Sequence, residues 1–232
     1  MLGVRLLLVA IVLSGLVLPP LAAVAAEPEG IAAKPTEPDS PPNVLDGHKL
    51  VAALRGGGYI IYFRHGITDL STSDTDRDHL ENCATQRVLS PEGRQQMRAI
   101  GRTMLALRIP IGQVLSSPYC RSVDTVTLAF GKAQKTDDLV NTITADEETA
   151  ARMAQALRKL LATAPPPGVN TVLSGHTGNL QEASGIWPKP EGTAIIFKPE
   201  GDGKFSYIAR IVPTHWQELA RGEDETSKRN KR

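Results

Sequence analysis

Apolar runs of strand length alternate with longer amphipathic stretches through the middle of this chain. Residues 59–63 form an unbroken apolar run, the pattern of a strand buried on both faces. Before it, residues 48–54 predict a short helix stopped at Gly56-Gly57-Gly58. After it, Ser90-Pro91-Glu92 combines a capping hydroxyl, a first-turn proline and an early acid, which together mark a helix start. Met97, Ile100, Met104 and Leu107 then recur on one face of that helix. Residues 113–116 predict a short strand and 121–130 a helix ending at Gly131. Residues 147–161 predict an amphipathic helix terminated by Pro165-Pro166-Pro167-Gly168. Further strands are predicted at 171–174, 193–197 and 205–211, the last two flanking Gly201-Asp202-Gly203 as a hairpin. No internal repeat is visible. The alternation predicts one three-layer α/β/α domain with a mostly parallel central sheet.

Composition narrows the function classes. The chain has 232 residues, of which 41% are hydrophobic and 22% charged, enough for one domain with a substantial core. Aromatic residues are only 4%, too few for a base-stacking surface. The net charge of +1 gives no overall field toward nucleic acid or an anionic membrane, so any anion site is local. Residues 1–26 read as a secretory signal: Arg5 precedes a short apolar stretch, and small residues follow at 22–26. An uncleaved anchor is the rival reading; Pro19-Pro20 and the alanine-rich exit speak against it. The mature protein is then exported, periplasmic or extracellular, with no stable membrane insertion. Residues 27–43 are a proline-interrupted linker, 44–221 the domain and 222–232 a charged tail. Cys83 and Cys120 can pair in an oxidising compartment; two unpaired thiols are the alternative. A bridge would pin the loop after the 59–63 strand beside the end of the next one.

Candidate chemistry gathers at strand ends. Arg64-His65-Gly66 closes the 59–63 run and Gly175-His176 closes 171–174, while Arg121 opens a helix just past 113–116. In an open parallel sheet the carboxyl ends of strands are where ligands bind. Guanidiniums are permanently charged and fork onto two oxygens, and a helix N-terminus adds its own attraction for anions. A neutral imidazole is a nucleophile, and a second one can donate to oxygens as charge moves. Each residue also has a plainer reading. His65 could be a satisfied core histidine, Arg121 a surface helix residue, and His176 a helix cap with an idle ring.

Arg64-His65-Gly66 with Thr68, then Ser116-Ser117-Pro118-Tyr119-Cys120-Arg121 with Thr125, then Gly175-His176, resemble in kind and order the motifs of the histidine phosphatase superfamily. The likeness spans roughly residues 59–211. It implies that His65 is phosphorylated while Arg64, Arg121 and His176 hold the phosphoryl group, with Arg64, Arg121 and Thr68 contacting substrate. It implies neither metal nor cofactor. Mutase-like members carry a glutamate acid where Leu139-Val140-Asn141 stands here, and acid phosphatases an aspartate where Thr177 stands. The proton donor is therefore unassigned; Asp146, Glu147 and Glu191 are unranked candidates. The short spacing from His65 to His176 resembles compact phosphohistidine phosphatases and predicts an open site without a large lid.

Other signals carry little. Asp74-Thr75-Asp76-Arg77-Asp78 begins like a calcium loop, but His79 replaces the needed glycine and Thr85 the closing glutamate; it reads as a solvated loop near the site. Gly56-Gly57-Gly58 precedes a strand, not a helix, so it is no nucleotide-phosphate cradle. Neither His79 nor His215 has metal-ligand spacing. The resulting expectation is an exported phosphatase acting on phosphomonoesters through His65, with an envelope glycan phosphate as a substrate class. The alternative is a non-catalytic phosphate-binding or envelope interaction protein that keeps the pocket. No protein partner is inferable.

Overall fold

The structure, a computed structural model, describes residues 40–229. The signal-type segment and most of the linker lie outside the described residues. In chain order the elements are α1 (Gly47–Gly56), β1 (Ile60–Arg64), α2 (Pro91–Ala106), β2 (Ile111–Ser116), α3 (Cys120–Phe130), β3 (Gln134–Lys135), α4 (Glu147–Ala162), β4 (Asn170–Gly175), α5 (Thr177–Ser184), β5 (Ala194–Gly201), β6 (Lys204–Ile211) and α6 (His215–Arg229).

One six-stranded sheet runs β3-β2-β4-β1-β5-β6. The β3, β2, β4 and β1 neighbours pair in parallel, and β5 and β6 add antiparallel to β1. Period-2 alternation sends Ile61 and Phe63 to one face and Ile60 and Tyr62 to the other. The first face is covered by α1, α2, α3 and α6 through residues such as Leu54, Met97, Val126 and Trp216. The second is covered by α4 and α5 through Leu157, Leu161 and Leu180. These are the three layers the alternation predicts.

Local chemistry sets the elements that matter for the site. Ser90 Oγ accepts from the Gly93 N–H, and Pro91 opens α2. Gly93 has no side chain because none fits: a Cβ there would lie 1.9 Å from the Ile67 carbonyl oxygen. That close approach seats the first turn of α2 directly on the Arg64–Thr68 loop. Gly175 serves the same purpose at β4, where a Cβ would fall 2.3 Å from the Tyr62 hydroxyl. Tyr62 instead donates to the His176 carbonyl at 2.8 Å, tying β1 to the first residue past β4.

Within the described residues, the segments flanking the domain depart from their sequence reading. Residues 222–229, read as tail, continue α6. Its first turns bury Trp216 and pack Leu219 on the core, and Arg55 holds Glu223 at 2.6 Å, so packing of the apolar face carries the charged face with it. Within the span read as linker, Asn43 is anchored: its Oδ1 accepts from Tyr207 and from the Arg210 N–H. Among the described residues no helix is long and apolar enough to cross a membrane.

Candidate active site

Strand register brings the distant motifs together. Arg64 of β1 stands opposite Gly175 of β4, so the next residues, His65 and His176, leave the sheet side by side. Ser116 of β2 stands opposite Ser174, which places the 117–121 turn against the same edge. The imidazole centroids of His65 and His176 are 5.5 Å apart. Both rings are buried, at 3% and 2% exposure, and Arg121 is 1% exposed.

The hydrogen bonds fix the state of each ring. His65 Nδ1 lies 3.0 Å from the Gly66 carbonyl. A carbonyl only accepts, so the proton sits on Nδ1 and the lone pair on Nε2. Burial first, then the nearby Arg121 guanidinium, pushes the His65 pKa down to about 3, with Arg64 and Arg87 adding to the effect and the Gly66 carbonyl opposing it. His65 is therefore neutral, with Nε2 free to act as a nucleophile. His176 Nε2 is 2.9 Å from Ser117 Oγ. That hydroxyl accepts from the Tyr119 N–H, and its own proton has no other acceptor among the described residues than Nε2. The ring proton of His176 thus sits on Nδ1. Burial, and next Arg121, hold this ring well below its ordinary pKa.

Three guanidiniums and two carboxylates surround the rings. Arg64 Nη2 donates to Glu191 Oε1 at 3.2 Å. Glu191 also accepts from the Thr68 N–H at 2.9 Å and the Thr68 hydroxyl at 3.1 Å, and lies 3.9 Å from Arg87. Arg121 grips Asp74 with both ends, at 2.8 and 3.1 Å, and stacks 4.3 Å over the Tyr119 ring. A disulfide joins Cys83 to Cys120 with a Cα separation of 5.7 Å, within the ordinary range. On the residues of this group, four buried nitrogens have no hydrogen-bond partner among the described residues: Nε of Arg64, Arg87 and Arg121, and Nδ1 of His176. Leaving a buried donor unpaired costs about 1–3 kcal/mol. Such a cluster suits an anion that accepts from all of them.

No protein-family model and no curated protein matches the chain. It is similar to several solved phosphatases. One is the protein histidine phosphatase SixA complexed with tungstate, at 18% identity over 68% of this chain and 98% of that one, TM-score 0.48. Another is a mycobacterial glucosyl-3-phosphoglycerate phosphatase, at 15% over 66% and 98%, TM-score 0.48. A third is a phosphoserine phosphatase mutant from Entamoeba histolytica, at 13% over 68% and 98%, TM-score 0.46. At these values the likeness carries no weight for activity.

The structure redistributes the expected roles. Arg64, His65, Arg121 and His176 converge at one sheet edge. Thr68, expected to touch substrate, has both its N–H and its hydroxyl engaged by Glu191. Of the acid candidates only Glu191 reaches the rings, 3.9 Å from His65 Nδ1. Asp146 caps α4 through Thr149, and Glu147 sits exposed in its first turn. Asn141 accepts from the Ile143 N–H in a local turn. The loop read as solvated supplies Asp74 to Arg121 and is tied to the start of α3 by the disulfide. Arg87 was not foreseen; a lone arginine ahead of a helix cap has no sequence signature.

The buried rings make stability depend on pH. Their folded pKa values lie below the ordinary 6.5, so between about pH 6.5 and 3 the unfolded chain binds protons that the folded one refuses. Stability should be fully present above pH 6.5 and fall as pH drops through that window. Denaturant unfolding at pH 7 and pH 4 checks this, with a shallower loss expected for His65→Gln. A flat wild-type profile between those pH values would show that the rings are not buried as neutral species.

Proposed function

We propose that this chain is a histidine phosphatase, hydrolysing phosphomonoesters through a phosphohistidine at His65. The observation that carries the reading is the set of four orphaned buried nitrogens around a neutral imidazole whose Nδ1 proton is committed to Gly66. The phosphoryl group of the substrate enters between the two rings. His65 Nε2 attacks phosphorus; the P–N bond forms as the ester P–O bond breaks. The Nε–H groups of Arg64, Arg87 and Arg121 and the Nδ1–H of His176 take up charge on the phosphoryl oxygens. Water protonates the leaving oxygen and is left as hydroxide, because Glu191 already accepts from Arg64 and Thr68 and Asp74 from Arg121 and the Arg87 N–H. A second water then attacks phosphorus, giving its proton to the hydroxide left by the first, as the P–N bond breaks and the Nε2 lone pair is restored.

We infer further that the protein works outside the cytoplasm on a phosphorylated envelope glycan. The signal-type leader supports export, and the disulfide is compatible with an oxidising compartment. A second reading is a phosphate-binding protein without turnover. The carboxylates already engaged by Arg64 and Arg121 favour it.

Rapid-quench labelling separates the two. Mixed with a phosphate-labelled aryl phosphate or glycan phosphate, the mature protein should yield acid-labile, base-stable label on His65 that decays as inorganic phosphate appears. Saturable phosphate binding with no label and no release would support the second reading instead.

A further inference from the structure

A guanidinium carries five N–H donors, and in Arg121 three are committed. Nη1 donates to Asp74 Oδ1 at 2.8 Å and to the Arg87 carbonyl at 3.2 Å, and Nη2 donates to Asp74 Oδ2 at 3.1 Å. The two that remain, on Nε and on Nη2, share one edge of the planar group. That edge is spaced to meet two oxygens of a single phosphate. Nε is buried and unpartnered in a side chain that is 1% exposed. Resting on the phosphatase reading above, we infer that Asp74 is a positioning residue for phosphoryl transfer, holding Arg121 end-on so that its Nε edge is the one left for the phosphoryl group.

Asp74 is itself held. Its Oδ1 accepts the Arg87 N–H at 3.0 Å, so the residue that supplies another orphaned Nε also anchors the carboxylate. Gln86, buried next to Arg87, accepts from the N–H of Cys120 at 2.9 Å and donates to the Leu80 and Asn82 carbonyls. Cys83 closes the assembly through its bond to Cys120, the residue before Arg121. The loop bearing the carboxylate and the helix bearing the guanidinium are thereby joined beside the ion pair. Burial works to raise the Asp74 pKa, but hydrogen bonds from Arg121 and the Arg87 N–H outweigh it and keep the carboxyl below its usual range. Asp74 is therefore charged at neutral pH and able to orient Arg121.

Placing the edge rather than the end of Arg121 toward the site also explains why a carboxylate can sit on this arginine without excluding substrate. Asp74 and the phosphoryl group use different donors of the same group. Mutating the carboxylate should free the guanidinium to rotate, which harms the transition state through geometry while leaving the charge in place.

The test compares Asp74→Ala, Asp74→Asn, Arg121→Ala and the Asp74→Ala/Arg121→Ala double variant. Readouts are kcat and KM with an aryl phosphate and the affinity for orthovanadate. Asp74→Ala is expected to lower kcat/KM about 100-fold, the scale of an ångström-level misplacement. Asp74→Asn, which keeps an acceptor, should recover part of it. In the double variant orthovanadate should bind no more weakly than in Arg121→Ala alone, because the aspartate acts only through the arginine. Wild-type kcat/KM and orthovanadate affinity in Asp74→Ala, or losses that add fully in the double variant, would overturn the inference. If Asp74→Ala fails to unfold cooperatively, Asp74→Asn decides by the same readouts: a tenfold or larger loss supports the role and no loss overturns it. A wild-type protein that neither binds orthovanadate nor labels His65 overturns the phosphatase reading itself, a result distinct from any Asp74 effect.

Discussion

Replacing His65 by alanine is expected to abolish phosphoenzyme formation and to lower kcat on the order of 10⁶-fold, the scale seen when a covalent nucleophile is removed. Nothing nearby can take its place. His176 is turned the other way chemically, with Nε2 accepting from Ser117 and its proton on Nδ1, so it offers a donor where His65 offers a lone pair. Its replacement by alanine should cost less, about 10²–10³-fold, as for loss of one preorganised donor. Steady-state turnover of an aryl phosphate measures both. Equal small losses in the two variants, or residual label on another residue in His65→Ala, would show that the nucleophile has been misplaced.

The second large effect belongs to the disulfide. Cys83 and Cys120 are separated by 37 residues, and freeing a loop of that size lowers the free energy of the unfolded chain by about 4 kcal/mol at room temperature, through its entropy. For a domain of this size, that corresponds to a fall in Tm of roughly 10 °C. The bond also ties the Asp74 loop to the start of α3, so the loss should reach activity. A Cys83→Ser/Cys120→Ser variant, or the wild type under reductant, is expected to melt earlier and to turn over substrate with a raised KM. Calorimetry under oxidising and reducing conditions checks the first claim and parallel assays the second. An unchanged Tm on full reduction, verified by thiol titration, would mean that the loop is held by Gln86 and Asp74 alone.

The two carboxylates show how far residue patterns reach. Glu191 was one of three acids proposed from a missing proton donor, and nothing in its local sequence ranked it above Asp146, which turned out to be a helix cap. Asp74 lay in an acidic run that imitated a calcium loop, and only the path of that loop brings it to Arg121, 47 residues away. Arg87 reaches the site by the same path. Contacts of this kind depend on where a loop crosses a sheet edge, and no periodicity encodes that. The charged end of the chain failed differently. Residues 222–229 have little apolar character of their own, and their helix is set by Trp216 and Leu219 packing one and two turns earlier.

What the sequence determined by itself was the layer order and the strand ends. Apolar runs such as 59–63 can satisfy their backbone and bury their side chains only inside a covered sheet, and Arg64-His65 and Gly175-His176 follow those runs directly. Tertiary structure alone decided the rest: the register that sets His65 beside His176, the burial that keeps both rings neutral, and the Asp74 and Glu191 carboxylates that orient three arginines. Register and burial are properties of strands and loops placed against one another, so local residue preferences do not contain them.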